Sequence, residues 1–154
     1  MSKAAALVAL AVLGVSCTGD RPARETRPVP PADDLPRCQV SPGSPPEGFL
    51  LVRTREIEYP DHVGVREEYR HDDGRLLVYL LGVTGEMGEG SPIAEEVELV
   101  TGEAATLFGS ENTGAWSLVW AQDLPCPQVA VVGNGFTRDQ FEGALEDIGV
   151  IPGP

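Results

Sequence analysis

Two hydrophobic periodicities divide the chain. From residue 47 to residue 135, apolar side chains recur every second position or in short unbroken runs, the pattern of β-strands. Phe49 to Tyr59 predicts a first strand, ended by Pro60-Asp61. Val63, Val65, Glu67 and Tyr69 alternate with Gly64, Arg66, Glu68 and Arg70, which predicts a half-buried strand with a charged outer face. Asp73-Gly74 marks a hairpin, because both residue types tolerate positive φ. The unbroken run from Leu76 to Leu81 predicts a central strand covered on both faces. Thr84 to Pro92, with glycines at 85, 88 and 90, predicts a mobile loop. Val97 to Val100 and Ala104 to Phe108 flank Thr101-Gly102-Glu103 as a second hairpin. Trp116, Leu118 and Trp120 share one face of a later strand, and Val129 to Val132 forms the last.

The helical period appears once, at the C-terminus. Thr137 and Gln140 have capping-box spacing, and Phe136 and Phe141 have the spacing of a hydrophobic staple. Phe141, Ala144, Leu145 and Ile148 define one apolar stripe, and Gly149 supplies the stop. The fold class predicted is α+β: a mostly antiparallel, twisted β-sheet with one C-terminal α-helix packed on one face. Trp116 and Trp120 are assigned to the interface between sheet and helix.

A third apolar segment has neither period. Lys3 precedes the uninterrupted run from Ala4 to Val15, 12 residues long, with small Ser16 directly before Cys17. A bilayer-spanning helix needs about 20 apolar residues, so this run reads as a secretory signal over residues 1–16. The ending Leu13-Gly14-Val15-Ser16-Cys17 resembles the lipobox of bacterial lipoproteins, with Gly14 standing where that pattern prefers an aliphatic residue. The resemblance implies that Cys17 becomes the lipidated first residue of the mature chain and anchors it to the membrane outside the cytoplasm. The alternative is an ordinary signal peptide cut nearby, with Cys17 incidental.

Residues 17–46 then read as a tether. Prolines stand at 22, 28, 30, 31, 36, 42, 45 and 46 with little aliphatic bulk between them. Such a segment buries too little apolar surface to offset its ordering entropy. Residues 47–154 form the single β-rich domain.

Charge narrows the function. The chain has 24 acidic side chains against 11 basic ones, a net charge of −13. Nucleic-acid binding is excluded on that balance, since phosphates require Lys and Arg, and a basic patch for anionic lipid is equally unexpected. The tether's charges cancel, so the negative charge belongs to the domain, with 20 acids and 6 arginines.

The cysteines number three. With Cys17 lipidated, Cys38 and Cys126 remain as an even pair in an oxidising compartment, and a disulfide between them would close a loop of 88 residues. No C-x-x-C pair exists, and His62 and His71 lie far from both cysteines, which disfavours zinc.

Other chemical motifs are weak. Gly133-Asn134-Gly135 lacks the third glycine of a dinucleotide fingerprint, since position 138 is Arg138. His62 and His71 sit beside turn residues in charged text and read as surface side chains. Asp72-Asp73, Glu67-Glu68 and Glu95-Glu96 match no calcium loop, and adjacent strand residues point to opposite faces. No catalytic residue, metal or cofactor is expected.

From Val97 through Ile148 the chain is similar to a C-terminal domain of exported or membrane-tethered bacterial proteins, including predicted lipoproteins and extracytoplasmic ends of some anti-sigma factors. The likeness rests on the paired strands around Thr101-Gly102-Glu103, on Leu118-Val119-Trp120, and on Val131-Val132-Gly133 leading to the Thr137 cap. Pro125-Cys126-Pro127 departs from it. The resemblance implies a fold and an envelope location.

Two functions follow as expectations. The first is a non-enzymatic, membrane-tethered domain that binds or senses an envelope protein partner. The second is an envelope hydrolase or ligand-carrying lipoprotein, which would require a pocket holding His62 or His71 beside a Ser or an acid.

Overall fold

The alternating pattern becomes seven strands, and the helical stripe becomes one helix, in the computed structural model, which describes residues 34–38, 44–123 and 125–153. The strands are β1 (Phe49–Glu58), β2 (Val63–His71), β3 (Leu76–Leu81), β4 (Ile93–Glu98), β5 (Ala104–Ser110), β6 (Ala115–Ala121) and β7 (Gln128–Asn134). The helix is α1 (Arg138–Asp147). All strand pairs are antiparallel, in the order β1-β2-β3-β7-β6-β5-β4. An antiparallel sheet followed by one C-terminal helix is the architecture that the sequence pattern predicts.

Two meanders, β1-β2-β3 and β4-β5-β6-β7, meet at the β3–β7 pair, where Leu77, Tyr79 and Leu81 lie opposite Gly133, Val131 and Val129. Each meander is local, so its hairpins follow from turn chemistry; Gly74 and Gly102 hold positive φ in two of them. The segment between β3 and β4 carries the chain from mid-sheet to the far edge.

Register sorts the side chains. One row runs Leu51, Tyr69, Leu77, Gly133, Trp116 and Gly109 across six strands. The next row runs Tyr79, Val131, Leu118 and Leu107. Of these, Tyr69, Leu77, Trp116, Tyr79, Val131, Leu118 and Leu107 share one buried cluster with Phe136, Phe141, Ala144, Leu145 and Ile148 from the helical segment, while Leu51 at the edge stays exposed. A second cluster on the same face holds Leu81 and Val129 together with Cys38 and Cys126, and Trp120 packs against both clusters.

The helix begins as its capping signal predicts. The Gln140 backbone N–H donates to Thr137 Oγ1 at 3.3 Å, and the Thr137 N–H donates to Gln140 Oε1 at 3.0 Å. Phe136 and Phe141 meet edge-to-face at 5.8 Å. Glu142 is half-buried because Arg138, one turn earlier, donates to it at 2.7 Å.

Two expectations differ in detail. β4 begins at Ile93, four residues before the predicted Val97, and pairs with β5 along its length. In β3 only Leu77, Val78, Tyr79 and Leu81 are buried, while Leu76 and Leu80 are half-buried.

Candidate functional site

Residues 36–38, which the proline pattern assigns to a tether, are bonded to the sheet. Arg37 pairs in parallel with Val63, the first residue of β2. The Val63 N–H donates to the Pro36 carbonyl and the Cys38 N–H donates to the Val63 carbonyl, each at 2.9 Å. Arg37 also forms an ion pair with Glu56 of β1. Cys38 is buried beside Cys126, which lies in the β6–β7 connection, and the two stand at disulfide distance with Cα atoms 5.6 Å apart. That separation suits a disulfide. Cys17 lies outside the described residues.

His62 departs from expectation. It is 1% exposed, where the flanking Pro60-Asp61 turn suggested a surface position. Its Nδ1 is 2.7 Å from Asp61 Oδ1 and its Nε2 is 2.6 Å from the Gly82 carbonyl oxygen. The ring stacks on Tyr59 at 4.6 Å. The space comes from Gly82: a Cβ there would lie 3.0 Å from the imidazole and would overlap Cys38 Sγ, and the residue holds φ +70°. Glycine at this position thus admits both the ring and the sulfur. A residue twenty places downstream decides the burial of His62, so local sequence gave no sign of it.

Both ring nitrogens of His62 face oxygen atoms, Asp61 Oδ1 and the Gly82 carbonyl, so neither is turned toward a nucleophile among the described residues. His71 is half-buried against Phe49 at 5.1 Å, with Nδ1 2.8 Å from Asp73 Oδ1. Desolvation pushes the Asp73 carboxyl up, but hydrogen bonds from the Arg75 backbone and from the His71 and Arg75 side chains outweigh it and hold the group below the usual range. Among the described residues no Ser or Cys is hydrogen-bonded to either imidazole.

Other residues have structural explanations. The Trp116 indole N–H donates to the Phe136 carbonyl at 3.2 Å, which fastens the start of the helical segment to β6. Gly133 lies under the Phe141 ring, so the first glycine of Gly133-Asn134-Gly135 makes room for a core aromatic. Tyr69 donates to Glu67 at 2.7 Å; desolvation, reinforced by this bond, raises its hydroxyl pKa to about 12. Among the described residues, no three His, Cys, Asp or Glu side chains gather as a metal-binding group.

Among the described residues the surface carries, besides a polar groove along Glu96, Glu98 and Gly102, two open grooves with largely apolar walls. One, of about 460 Å³, lies between the β3–β4 connection and the β5–β6 strands, with Met87, Phe108, Val119 and Trp120 in its walls. Gly88, at φ +80°, packs against the Phe108 ring there. The other, of about 330 Å³, runs beside the helix along Leu107, Leu118, Leu145 and Ile151. Neither groove is lined by a histidine. No helix among the described residues is long and apolar enough to cross a membrane. Compared with family models, curated proteins and solved structures, the chain matches none.

Proposed function

We propose that the chain is an exported envelope lipoprotein whose domain binds or senses a partner outside the cytoplasm without catalysing a reaction. In this reading residues 1–16 are the signal, Cys17 carries the lipid, residues 17–46 are the tether, and residues 47–154 fold as a twisted sheet with the helix across one face. The observation that carries it is the buried Cys38–Cys126 pair at disulfide distance, at the point where the tether joins the sheet. A structural disulfide persists outside the cytoplasm, and here it would fix the end of a tether to the domain.

The hydrolase reading draws no support from the histidines, because both nitrogens of His62 lie against oxygen atoms and, among the described residues, no Ser or Cys is hydrogen-bonded to either imidazole. The net charge of −13 supports a protein partner over nucleic acid.

The test is Cys17→Ser in the producing cell. Wild-type protein is expected in the membrane fraction with the added mass of a lipid, and the variant is expected in the soluble fraction without it. A variant that stays in the membrane at unchanged mass refutes lipidation. In-cell crosslinking to an envelope protein, lost when the domain is deleted, tests the binding role.

A further inference from the structure

The net charge of the domain conceals a polarity that only the strand order exposes. Residues 47–81 carry eight acidic side chains and five arginines, whereas residues 82–154 carry twelve and one. Strands β1 to β3 occupy one side of the sheet and β4 to β7 the other, so the acidic excess is concentrated away from β1.

Four of those five arginines lie on the two outermost strands of that side. Arg53 is opposite Glu68, Arg55 opposite Arg66, and Arg70 opposite Leu50. Residues opposite one another share a face, so all four guanidinium groups leave from the face away from the helix. Arg66 is held by Glu68 at 2.9 Å. Arg37, Arg75 and Arg138 are likewise paired, with Glu56, Asp73, and Glu95 plus Glu142. Among the described residues, Arg53, Arg55 and Arg70 form no ion pair. The acidic neighbours Glu56 and Glu68 are occupied by Arg37 and Arg66, while Glu47 precedes the strand and Glu58 ends it.

The same edge exposes apolar bulk. Leu50, Leu51 and Val52 are 68%, 52% and 53% exposed on a strand whose outer backbone has no neighbour in the sheet. Leu50 and Leu51 point to opposite faces, and the register shifts between Leu51 and Arg53, so the triplet wraps around the edge. A partner lying on one face reaches only part of it. A strand added to this edge meets the irregularity at Val52, which interrupts a regular ladder.

We infer that the Leu50–Arg55 edge of β1 docks on the anionic lipid surface to which the tether holds the domain. Apolar side chains entering the interface edge-on, with cations level with the headgroups, match a lipid surface, and the acidic half of the sheet then faces away from it. The inference rests on the lipoprotein reading. Reach is sufficient: the 17 residues from Thr18 to Asp34 span up to about 50 Å when extended. Tethering also keeps the edge at about millimolar effective concentration, so a weak surface is enough.

Hydrogen exchange of the full chain, purified with its own anchor and reconstituted into vesicles, tests this. The vesicles are phosphatidylcholine alone or phosphatidylcholine with phosphatidylglycerol. The amides of Leu50 to Arg55 are expected to exchange about tenfold more slowly on the anionic vesicles only. The double variant Arg53→Glu, Arg55→Glu is expected to lose that slowing while exchange in β3 stays unchanged, which shows that it is folded. Equal exchange on both vesicle types, or slowing that survives the double reversal, overturns the inference. Flotation of the chain with the vesicles reports the anchor separately. A chain that floats with β1 unprotected therefore refutes docking and leaves the lipoprotein reading intact.

Discussion

Replacing Gly133 with alanine is expected to destabilise the domain, whereas the same replacement at Gly143 stabilises it. Gly133 lies in β7 opposite Trp116 and beneath the helix. An added Cβ would stand 2.6 and 2.8 Å from Phe141 Cδ2 and Cε2, and 3.0 Å from Phe136 Cδ2. Gly133 is not among the glycines with positive φ, so its backbone accepts alanine and the cost is steric alone. Overpacking of this kind costs about 1–3 kcal/mol, and the stiffer unfolded chain returns about 0.4–1 kcal/mol. At the middle of both ranges the net is a loss of about 1.3 kcal/mol. Around Gly143, in the middle of α1, nothing lies within 4 Å of the added carbon. Alanine there gains about 0.5–1 kcal/mol from helix propensity and chain entropy. Urea unfolding of the two variants under non-reducing conditions reads the difference as opposite shifts in midpoint at unchanged slope. A neutral or stabilising Gly133→Ala refutes the packing of Phe141 over that strand. A destabilising Gly143→Ala refutes the open position assigned to it.

Other outcomes follow from the same contacts. Phe141→Ala removes a fully buried ring and is expected to cost about 3–5 kcal/mol by chemical unfolding, while Glu142→Ala, which loses one partly exposed ion pair, costs about 1 kcal/mol at most. Reduction of the Cys38–Cys126 pair opens a loop of 88 residues, and the chain-entropy model sets the loss at about 4–5 kcal/mol; urea titrations with and without reductant measure it. Hydrogen bonds from Arg138 hold the Glu95 carboxyl below its ordinary range. A depressed carboxyl contributes stability above its unfolded pKa and loses it as pH falls through the folded value, so Arg138→Gln should flatten the thermal-stability profile on the acid side of that range.

The strands and the helix were legible because their signals are local. Alternation located β2, the Asp73-Gly74 turn joined β2 to β3, and the Thr137 box fixed the start of α1. The first half of β4 was not legible, because Glu95 and Glu96 are adjacent and break the alternation that marks a strand. Glu95 faces the helix side, where Arg138 neutralises it from 43 residues away. The pairing of β3 with β7 lies beyond any local pattern, since each strand reads equally well beside other neighbours. His62 was misread for a similar reason, its burial depending on Gly82 and Cys38 meeting the β1–β2 turn. The pairing of Cys38 with Cys126 was accessible by counting, because counting needs no geometry. The cationic edge was hidden within a strongly negative total, and only cross-strand register brings Arg53, Arg55, Arg66 and Arg70 to one face.

The Cys38–Cys126 link also decides how the molecule bears load. Tension arriving along the chain from its N-terminal side meets the backbone bonds that tie Pro36 and Cys38 to Val63 of β2, and at Cys38 the sulfur bridge passes the load on to the β6–β7 connection. β2, β6 and β7 each have a bonded neighbour on both sides in the sheet, unlike the edge strand β1. Residues 44–58 lie after the junction in sequence, so β1 stays out of the load path, although it is the edge strand nearest the N-terminus. With the bridge open, only the bonds to Val63 and the Arg37–Glu56 pair stand between a pull and β1, which would peel from β2 one bond at a time. The bridge therefore exchanges a zipper for a clamp.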